Sequence, residues 1–132
     1  MRTKQVGAFS VTRVVDMPKV TFPLKFLLPD ASLDQIEPHR SWLEPDFIET
    51  GSDKLILSFH SFVVRTGRST ILVDTCVGND KERPQRREWH HRKGPFLEEL
   101  AAVGIHSNAV DFVLCTHLHA DHVGWNTMCE NG

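Results

Sequence analysis

The strongest constraint on the fold is a pair of apolar segments joined by a two-residue turn. The segments are "KLILSFHSFVVRT" (residues 54–66) and "STILVDT" (residues 69–75), and "GR" lies between them. Because Gly67 can adopt the positive φ of a tight turn, this pattern predicts a β-hairpin. The first segment is apolar on both faces, with Leu55, Leu57, Phe59 and Val63 on one and Ile56, Phe62 and Val64 on the other. We therefore expect a sheet that is covered on both sides.

Segments on either side of the hairpin add further strands and a helix. "VGAFSVTRVV" (residues 6–15) is rich in β-branched residues and predicts a strand, and "FVLCT" (residues 112–116) predicts a buried one. "GPFLEELAAVG" (residues 94–104) predicts a short helix with Pro95 in its first turn and Gly104 after its end. This order predicts an α/β (α+β) fold in which helices cover a sheet and reactive loops lie at strand ends.

Five prolines between residues 18 and 45 exclude a long regular element in that region. Within it, "SLDQIE" (residues 32–37) predicts a short helix capped by Ser32, with Gln35 completing a capping box. The apolar side chains of the region must pack somewhere, and they are Phe22, Phe26, Leu27, Leu28, Trp42 and Phe47. We expect a long loop pinned on the core by these side chains, with a lid or a homo-oligomer contact as the alternative.

Size and charge exclude several classes of protein. The 132 residues are about the size of one average domain, and 40% are hydrophobic. A net charge of −2 gives no overall attraction to nucleic acid or to an anionic membrane. The sequence contains no run of about 18 apolar residues, so it predicts no membrane-spanning helix. The segment "MRTKQVGAFSVTRVV" lacks the apolar core of a signal peptide. We therefore expect a cytoplasmic protein with no membrane partner.

The segment "CVGNDKERPQRREWHHRKG" (residues 76–94) is long, polar and locally basic. It carries six Lys or Arg residues against three acids, which predicts a solvated loop. The alternative is a loop that borders a pocket, where Trp89, His90 and His91 contact an anionic or polar substrate. A nucleic-acid contact has less support, because only Trp89 could stack on a base.

The three cysteines show no CxxC spacing, and their number is odd. Cys76 and Cys115 lie at the ends of apolar runs, where a free cysteine usually behaves as a small buried hydrophobe. We interpret both as buried thiols, and the alternative is that one of them is a metal ligand.

The segment "THLHADH" (residues 116–122) concentrates groups that bind metals. His117 and His119 are two positions apart at the end of a predicted strand, so their side chains can point the same way and reach one ion together. Asp121 and His122 follow as the chain turns. Imidazole nitrogen suits zinc and other transition ions, and a carboxylate offsets part of their charge. Two ions a few ångströms apart could use such a divided set for hydrolysis.

This segment resembles the HxHxDH signature of the metallo-β-lactamase superfamily. The upstream "ILVDTCVGND" (residues 71–80) resembles the family's strand that ends in Asp-Thr-Gly, and both motifs occur in the family's order. The wider segment "THLHADHVGWNT" (residues 116–127) looks most like the lactonase and organophosphate-hydrolase-like branch. The resemblance implies a sandwich of two sheets between helices (αββα), of which residues 1–132 would form the N-terminal half, truncated after the HxHxDH motif.

The resemblance also implies roles for individual residues. His117 and His119 would ligate one metal ion, and Asp121 and His122 a second. Asp121 would also be the catalytic residue that passes a proton to the leaving group. Asp74 would orient the ligands through contacts with them and would not bind the metal itself. The implied cofactor is zinc, as two ions, with iron or manganese as alternatives. The implied enzyme is a metallo-hydrolase that directs a metal-activated hydroxide at a lactone, ester or related small substrate.

Two departures from the family pattern bear on this interpretation. Cys76 stands where the family commonly has glycine. The family also has further ligands downstream, for which these residues offer no candidate. We therefore expect the 132-residue chain to be an incomplete and inactive part of a single domain. A non-catalytic metal-binding or interaction remnant, and a nucleic-acid-processing member of the same superfamily, are the alternative functions.

Overall fold

The structure, a computed structural model, describes residues 2–129, and this part of the chain contains a five-stranded sheet. The strands are β1 (Arg2–Val6), β2 (Phe9–Pro23), β3 (Lys54–Arg65), β4 (Thr70–Val73) and β5 (Phe112–Leu114), and they lie side by side in chain order. β1 pairs with β2 and β3 with β4 in antiparallel fashion, whereas β5 runs parallel to β4. A parallel pair requires a crossover connection, which here contains a helix. The mixed sheet confirms the predicted α/β (α+β) class.

The predicted hairpin is present as β3 and β4. Val63 pairs with Leu72, and Thr66 N–H donates to the Ser69 carbonyl across the turn at 3.0 Å. Gly67 has a φ of 82°, as the turn requires. The prediction that both faces are covered is wrong for the described residues, because Phe62 stays 40% exposed on the outer face. That face borders an open cavity of about 370 Å³ lined by Lys4, Val6, Val11, Arg13, His60 and Phe62.

The predicted helix is present as α4 (Phe96–Ala102) and covers the inner face of the sheet. Pro95 precedes it, and Gly104 follows it with a φ of 75°. Its stripe of Phe96 and Leu100 is buried, and Leu97 and Val103 are partly buried beside it. The helix packs into a core cluster that contains Val14, Val63, Leu72, Cys76, Phe96, Leu100 and Ile105. The 3.6-residue spacing of the stripe thus predicted the packed face of this helix.

Two predicted strands differ from those observed. Residues 6–15 do not form one strand, because Gly7, with a φ of 59°, turns the chain between β1 and β2. The predicted buried strand is β5, but its side chains are exposed: Phe112 by 57%, Val113 by 46% and Leu114 by 53%. β5 is the last strand in the sheet order, so it has a described neighbour on one side only. An edge position exposes an apolar sequence that would be buried in a central strand.

Residues Pro18–Ser58 form a compact unit distinct from the rest of the chain. Its helices are short: α1 (Leu24–Leu27), α2 (Leu33–Ile36) and α3 (Arg40–Leu43), with a 3-10 turn at Glu37–His39. The predicted capping box is supported at α2, where Ser32 N–H donates to Gln35 Oε1 at 2.8 Å.

The other predictions for this proline-rich region were less accurate. β2 continues past Pro18 to Pro23, so a regular element does enter the region. The expected apolar anchors are largely exposed, since Phe26, Leu28, Trp42 and Phe47 all lie mostly in solvent. Leu24 and Ile48 are buried in their place. Within residues 2–129 no helix is long and apolar enough to cross a membrane.

The basic loop (residues 76–94) has no helix or strand, but it is not simply solvated. Arg92 Nη1 lies 2.7 Å from Asp16 Oδ1, and the Asp16 side chain is fully buried while that of Arg92 is mostly buried. Val77 N–H donates to the other carboxylate oxygen of Asp16 at 3.3 Å. Asn79 and Gly94 exchange two hydrogen bonds of 2.9 and 2.8 Å, which close the base of the loop. The loop is therefore fastened to β2 by a buried ion pair.

Replacing Arg92 with Met should lower the free energy of unfolding by about 3–5 kcal/mol, because it leaves a buried carboxylate without its counter-charge. Burial raises the pKa of Asp16 above its usual range, and Arg92 opposes that rise. In the variant the pKa of Asp16 rises further, so the folded state binds a proton that the unfolded state releases. Stability should then fall as the pH rises from about 4 toward neutrality.

Urea denaturation at pH 4.5 and pH 7.5 measures this effect. Asp16→Asn in the Arg92→Met background should remove the pH dependence, and Lys93→Met, at an exposed position of the same loop, is the control. A loss of stability equal at both pH values in Arg92→Met would contradict the assignment.

Candidate metal centre

The four predicted ligands lie in the turn that follows β5. His122 N–H donates to the His119 carbonyl at 2.9 Å, which closes one turn of chain around Asp121. The segment begins at the carboxyl end of β5, and β4, parallel to it, ends beside it at Val73. The turn thus lies at a strand end, where the sequence predicted the reactive loop.

The three imidazoles of this turn are close together. His117 Nε2 lies 3.1 Å from His119 Nδ1, and the ring centroids of His117 and His122 are 3.9 Å apart. Asp121 Oδ2 lies 3.4 Å from His122 Nε2. The structure therefore brings all four predicted side chains into one cluster, in which two pairs are recognisable: His117 with His119, and Asp121 with His122.

Asp74 lies directly behind this cluster. His122 Nδ1 is 2.8 Å from Asp74 Oδ2, and Thr116 N–H donates to Asp74 Oδ1 at 2.7 Å. The Thr116 hydroxyl adds bonds of 3.1 and 2.9 Å to the two carboxylate oxygens. Burial tends to raise the pKa of Asp74, but the hydrogen bonds from His122 and Thr116 outweigh it and hold the pKa below its usual range. Asp74 is consequently an anion that accepts bonds on both oxygens.

The contact with Asp74 also determines which nitrogen of His122 is available. A carboxylate accepts the Nδ1 proton, so the Nε2 lone pair of a neutral His122 points away from Asp74. His117 has a comparable arrangement, since its Nδ1 lies 3.1 Å from the Thr116 hydroxyl and its Nε2 faces His119. Imidazole nitrogens beside a carboxylate are the type of donor set that a divalent transition ion takes.

The cluster fits metal ions as two incomplete sets of ligands. Among residues 2–129, no group of three or more His, Cys, Asp or Glu side chains converges as a closed metal site does. Each pair offers two donors, whereas a catalytic zinc site has three protein ligands. The chemistry of the donors suits zinc, and the number of donors in each pair requires further ligands.

A seam of backbone hydrogen bonds holds the cluster in place, and we call it the loop seam (residues 74–78 against residues 122–126). Thr75 N–H donates to the His122 carbonyl at 2.8 Å, and Trp125 N–H returns a bond of 3.0 Å to the Thr75 carbonyl. Gly124 N–H donates to the Cys76 carbonyl at 2.8 Å. Trp125 then stacks on Phe96 at 5.9 Å, which joins the seam to the core.

The loop seam brings two backbones so close that glycine is required. A Cβ on Gly124 would lie 2.0 Å from the carbonyl carbon and oxygen of Val77, and a Cβ on Gly78 would lie 2.4 Å from the Gly124 oxygen. Cys76, where the family commonly has glycine, has a φ of 50°, in the region that favours glycine. The departure noted in the sequence therefore places a strained non-glycine residue in this seam.

The candidates in the basic loop lie elsewhere. Trp89 packs edge-on against Phe59 with ring centroids 5.5 Å apart. His90 Nδ1 accepts a bond of 3.0 Å from the Arg83 N–H, and the rings of His90 and His91 lie 4.2 Å apart. These contacts hold His90 and His91 within their own loop and place Trp89 against β3.

Sequence reasoning missed three residues that shape the site, namely Thr75, Thr116 and Arg83. Thr116 precedes the first histidine and could have been noticed as a hydroxyl beside the motif. Thr75 contacts His122 and Arg83 contacts Ala120, in each case more than 35 positions away along the chain, and no local pattern indicates either contact.

Comparison with known proteins identifies the family. The metallo-beta-lactamase superfamily matches residues 59–128. The match covers more than half of the chain, so the protein belongs to this superfamily. The matched residues include β4, Asp74 directly after it, and the histidine cluster. No curated protein sequence matched the chain.

Solved structures show the same fold. The hydrolase AbOPH of the beta-lactamase superfamily is 25% identical, with a TM-score of 0.68 over 92% of this chain and 37% of its own. A probable metal-dependent hydrolase from Staphylococcus aureus is 16% identical, with a TM-score of 0.69 over 91% of this chain and 41% of its own. AidC, a dizinc quorum-quenching lactonase solved with a product, is 18% identical, with a TM-score of 0.67 over 93% of this chain and 37% of its own. The chain thus spans about two-fifths of the length of these relatives.

Gly124→Ala should destabilise the protein severely, by more than about 3 kcal/mol, because the new methyl group meets backbone atoms that cannot move aside. Gly67→Ala is the matched control: its Cβ meets nothing within 4 Å, and only its φ of 82° is strained. We expect a loss of about 1 kcal/mol there. Urea denaturation of both variants measures the difference, and equal losses would contradict the close approach.

The thiol of Cys76 should be unreactive in the folded protein. It is fully buried, and burial raises its pKa to about 12, although a contact of 3.1 Å with Ser61 Oγ opposes the rise. The thiolate that reacts with iodoacetamide is therefore scarce at pH 8. Mass spectrometry should find Cys129, which is exposed, alkylated first and Cys76 alkylated only in urea. Rapid labelling of Cys76 in the native protein would contradict this expectation.

Proposed function

We propose that this chain provides the first half of the zinc site of a metallo-hydrolase that acts on a lactone, an ester or a related small substrate. His117 and His119 would hold one ion, and Asp121 and His122 a second. Membership of the superfamily supports hydrolysis as the reaction class. The lactonase AidC, which shares the fold, makes a lactone the first substrate to test.

The contact between His122 and Asp74 is the observation that carries the proposal. His122 Nδ1 lies 2.8 Å from Asp74, a carboxylate that also accepts a hydrogen bond from Thr116. An imidazole exposed to solvent without a function would not be expected to have this contact. Ligand histidines almost always donate their second nitrogen in this way, which fixes the tautomer and the ring orientation. Asp74 therefore acts as the orienting residue, and His122 Nε2 as the donor.

Each residue of the cluster has a separate task in the proposed reaction. Zinc, when bound, supplies Lewis-acid chemistry that lowers the pKa of water toward about 7 and stabilises negative charge on the substrate. Asp121 Oδ2, beside His122 Nε2, accepts a proton from the attacking water and passes it to the leaving group. His117 is held by Thr116 on one side, so its ring cannot turn freely.

Catalysis in this proposal requires a longer polypeptide than residues 1–132. Each ion has two donors here, and the solved relatives are more than twice as long as the matched segment. We propose that residues 1–132 form the N-terminal part of one such domain, and that turnover requires the remaining ligands. Metal binding by the cluster itself can be tested on this chain.

Zinc affinity should fall at least tenfold in His122→Ala and by about 10–100-fold in Asp74→Asn, because the first change removes a donor and the second its orienting partner. Competition with a chromophoric chelator measures the affinity of the 132-residue chain. His106→Ala removes an exposed histidine outside the cluster and should leave the affinity unchanged.

The hydrolytic part of the proposal needs a polypeptide of the relatives' length that contains this chain. With zinc bound, it should open a lactone, and Asp121→Asn should abolish turnover. Stoichiometric zinc without turnover on lactones, esters or phosphotriesters would favour a non-catalytic metal-binding module. Absence of zinc binding in that polypeptide would contradict the whole proposal.

A further inference from the structure

The side chain of Arg83 connects the basic loop to the metal-binding turn. Its Nη1 donates to the Val77 carbonyl at 2.7 Å, and its Nη2 donates to the Ala120 carbonyl at 3.0 Å. The two acceptors belong to different sides of the site: Val77 lies in the loop seam, and Ala120 lies within the turn that carries the histidines. One guanidinium group thus joins two segments that are 43 positions apart in the chain.

The position of Ala120 gives this contact its significance. Ala120 separates the two proposed donor pairs, since His119 precedes it and Asp121 follows it. The peptide plane that contains its carbonyl determines how one pair is oriented relative to the other. The seam holds the far side of the turn through the His122 carbonyl. Arg83 holds the middle, where the side chains are otherwise exposed.

Arg83 is itself held firmly enough to act as a support. Its own N–H donates to His90 Nδ1 at 3.0 Å, and its guanidinium lies 5.8 Å from the centre of the Trp89 ring. The reciprocal bonds between Asn79 and Gly94 close the loop beneath it. Val77, whose carbonyl it binds, is fully buried. The guanidinium is therefore fixed at Nη1 by its bond to Val77, and its Nη2 extends to the turn.

A second cation of the same loop holds the chain beyond the turn. Lys81 Nζ donates to the Thr127 carbonyl at 2.8 Å and to its hydroxyl at 2.6 Å. The basic loop thus contacts the metal-binding segment at two points, one within the turn and one after it. This arrangement gives two of the basic side chains of the loop a structural role.

We propose that Arg83 is a positioning residue for the candidate metal centre, which sets the spacing of its two donor pairs through the Ala120 carbonyl. The inference rests on the proposed function, because positioning matters only if the turn holds metal. It requires arginine in particular: two N–H groups of a planar fork reach two carbonyls at once, whereas a lysine amine on a flexible stem cannot reproduce that geometry.

Three variants of the 132-residue chain test this role. Arg83→Met removes both bonds, Arg83→Lys keeps the charge but not the fork, and Arg87→Met removes an exposed arginine of the same loop. We expect Arg83→Met to weaken zinc affinity by about 10–100-fold, as loss of a supporting contact typically does. Arg83→Lys should recover less than half of that loss on a logarithmic scale, and Arg87→Met should match the unchanged chain.

A measurement without metal separates this inference from the proposed function. Nitrogen-15 spectra of the imidazoles in the metal-free chain report the tautomers and environments of His117, His119 and His122. Arg83→Met should shift these signals while His106 stays unchanged, and Arg87→Met should shift none of them. Shifted signals in a chain that binds no zinc would refute the metal proposal but retain the contact as structural.

Two results would overturn the inference itself. One is a folded Arg83→Met variant whose zinc affinity is within twofold of that of the unchanged chain. The other is full recovery of affinity by Arg83→Lys, because charge alone would then suffice. If Arg83→Met does not fold, the zinc affinity of Arg83→Lys is compared with that of Arg87→Met at an equal folded fraction. Affinities within twofold of each other would then overturn the inference.

Discussion

The loop seam is the interaction on which the rest of the site depends. Three backbone bonds between residues 74–78 and 122–126 satisfy polar groups that would otherwise be left without partners beside the core. They also fix the distance between the end of β4 and the turn that follows β5. Since the seam contacts are made by backbone atoms, the chain must carry glycine at positions 78 and 124, where a side chain would meet another backbone.

Two carboxylates near this seam show how environment divides structural from functional roles. Asp16 is enclosed by the core side of the sheet, where burial raises its pKa and Arg92 compensates its charge. Asp74 lies at a strand end, where bonds from His122 and Thr116 keep its pKa low. The first carboxylate fastens the basic loop, and the second orients a histidine. Both carboxylates contact or belong to residues 74–78, so this short segment connects the core to the candidate site.

The candidate site was predictable where its residues are close in sequence. His117, His119, Asp121 and His122 fall within six positions, and the spacing of His117 and His119 alone predicted that these two share an ion. Asp74 was predicted only through the family resemblance, because 48 residues separate it from the histidine that it contacts. Thr75 and Arg83 could not be predicted at all. Their contacts depend on which loops meet after the sheet has formed, and no periodicity records that.

The sequence by itself determined the hairpin at Gly67, the buried stripe of α4 and the cluster of histidine and aspartate side chains, because turns, helical periodicity and residue spacing are local properties. Tertiary structure decided the rest. It placed the apolar β5 at an exposed edge, turned the chain at Gly7 and brought Asp74 to His122. These outcomes follow from strand order and from hydrogen bonds between distant loops, and both are set by the free energy of the whole fold.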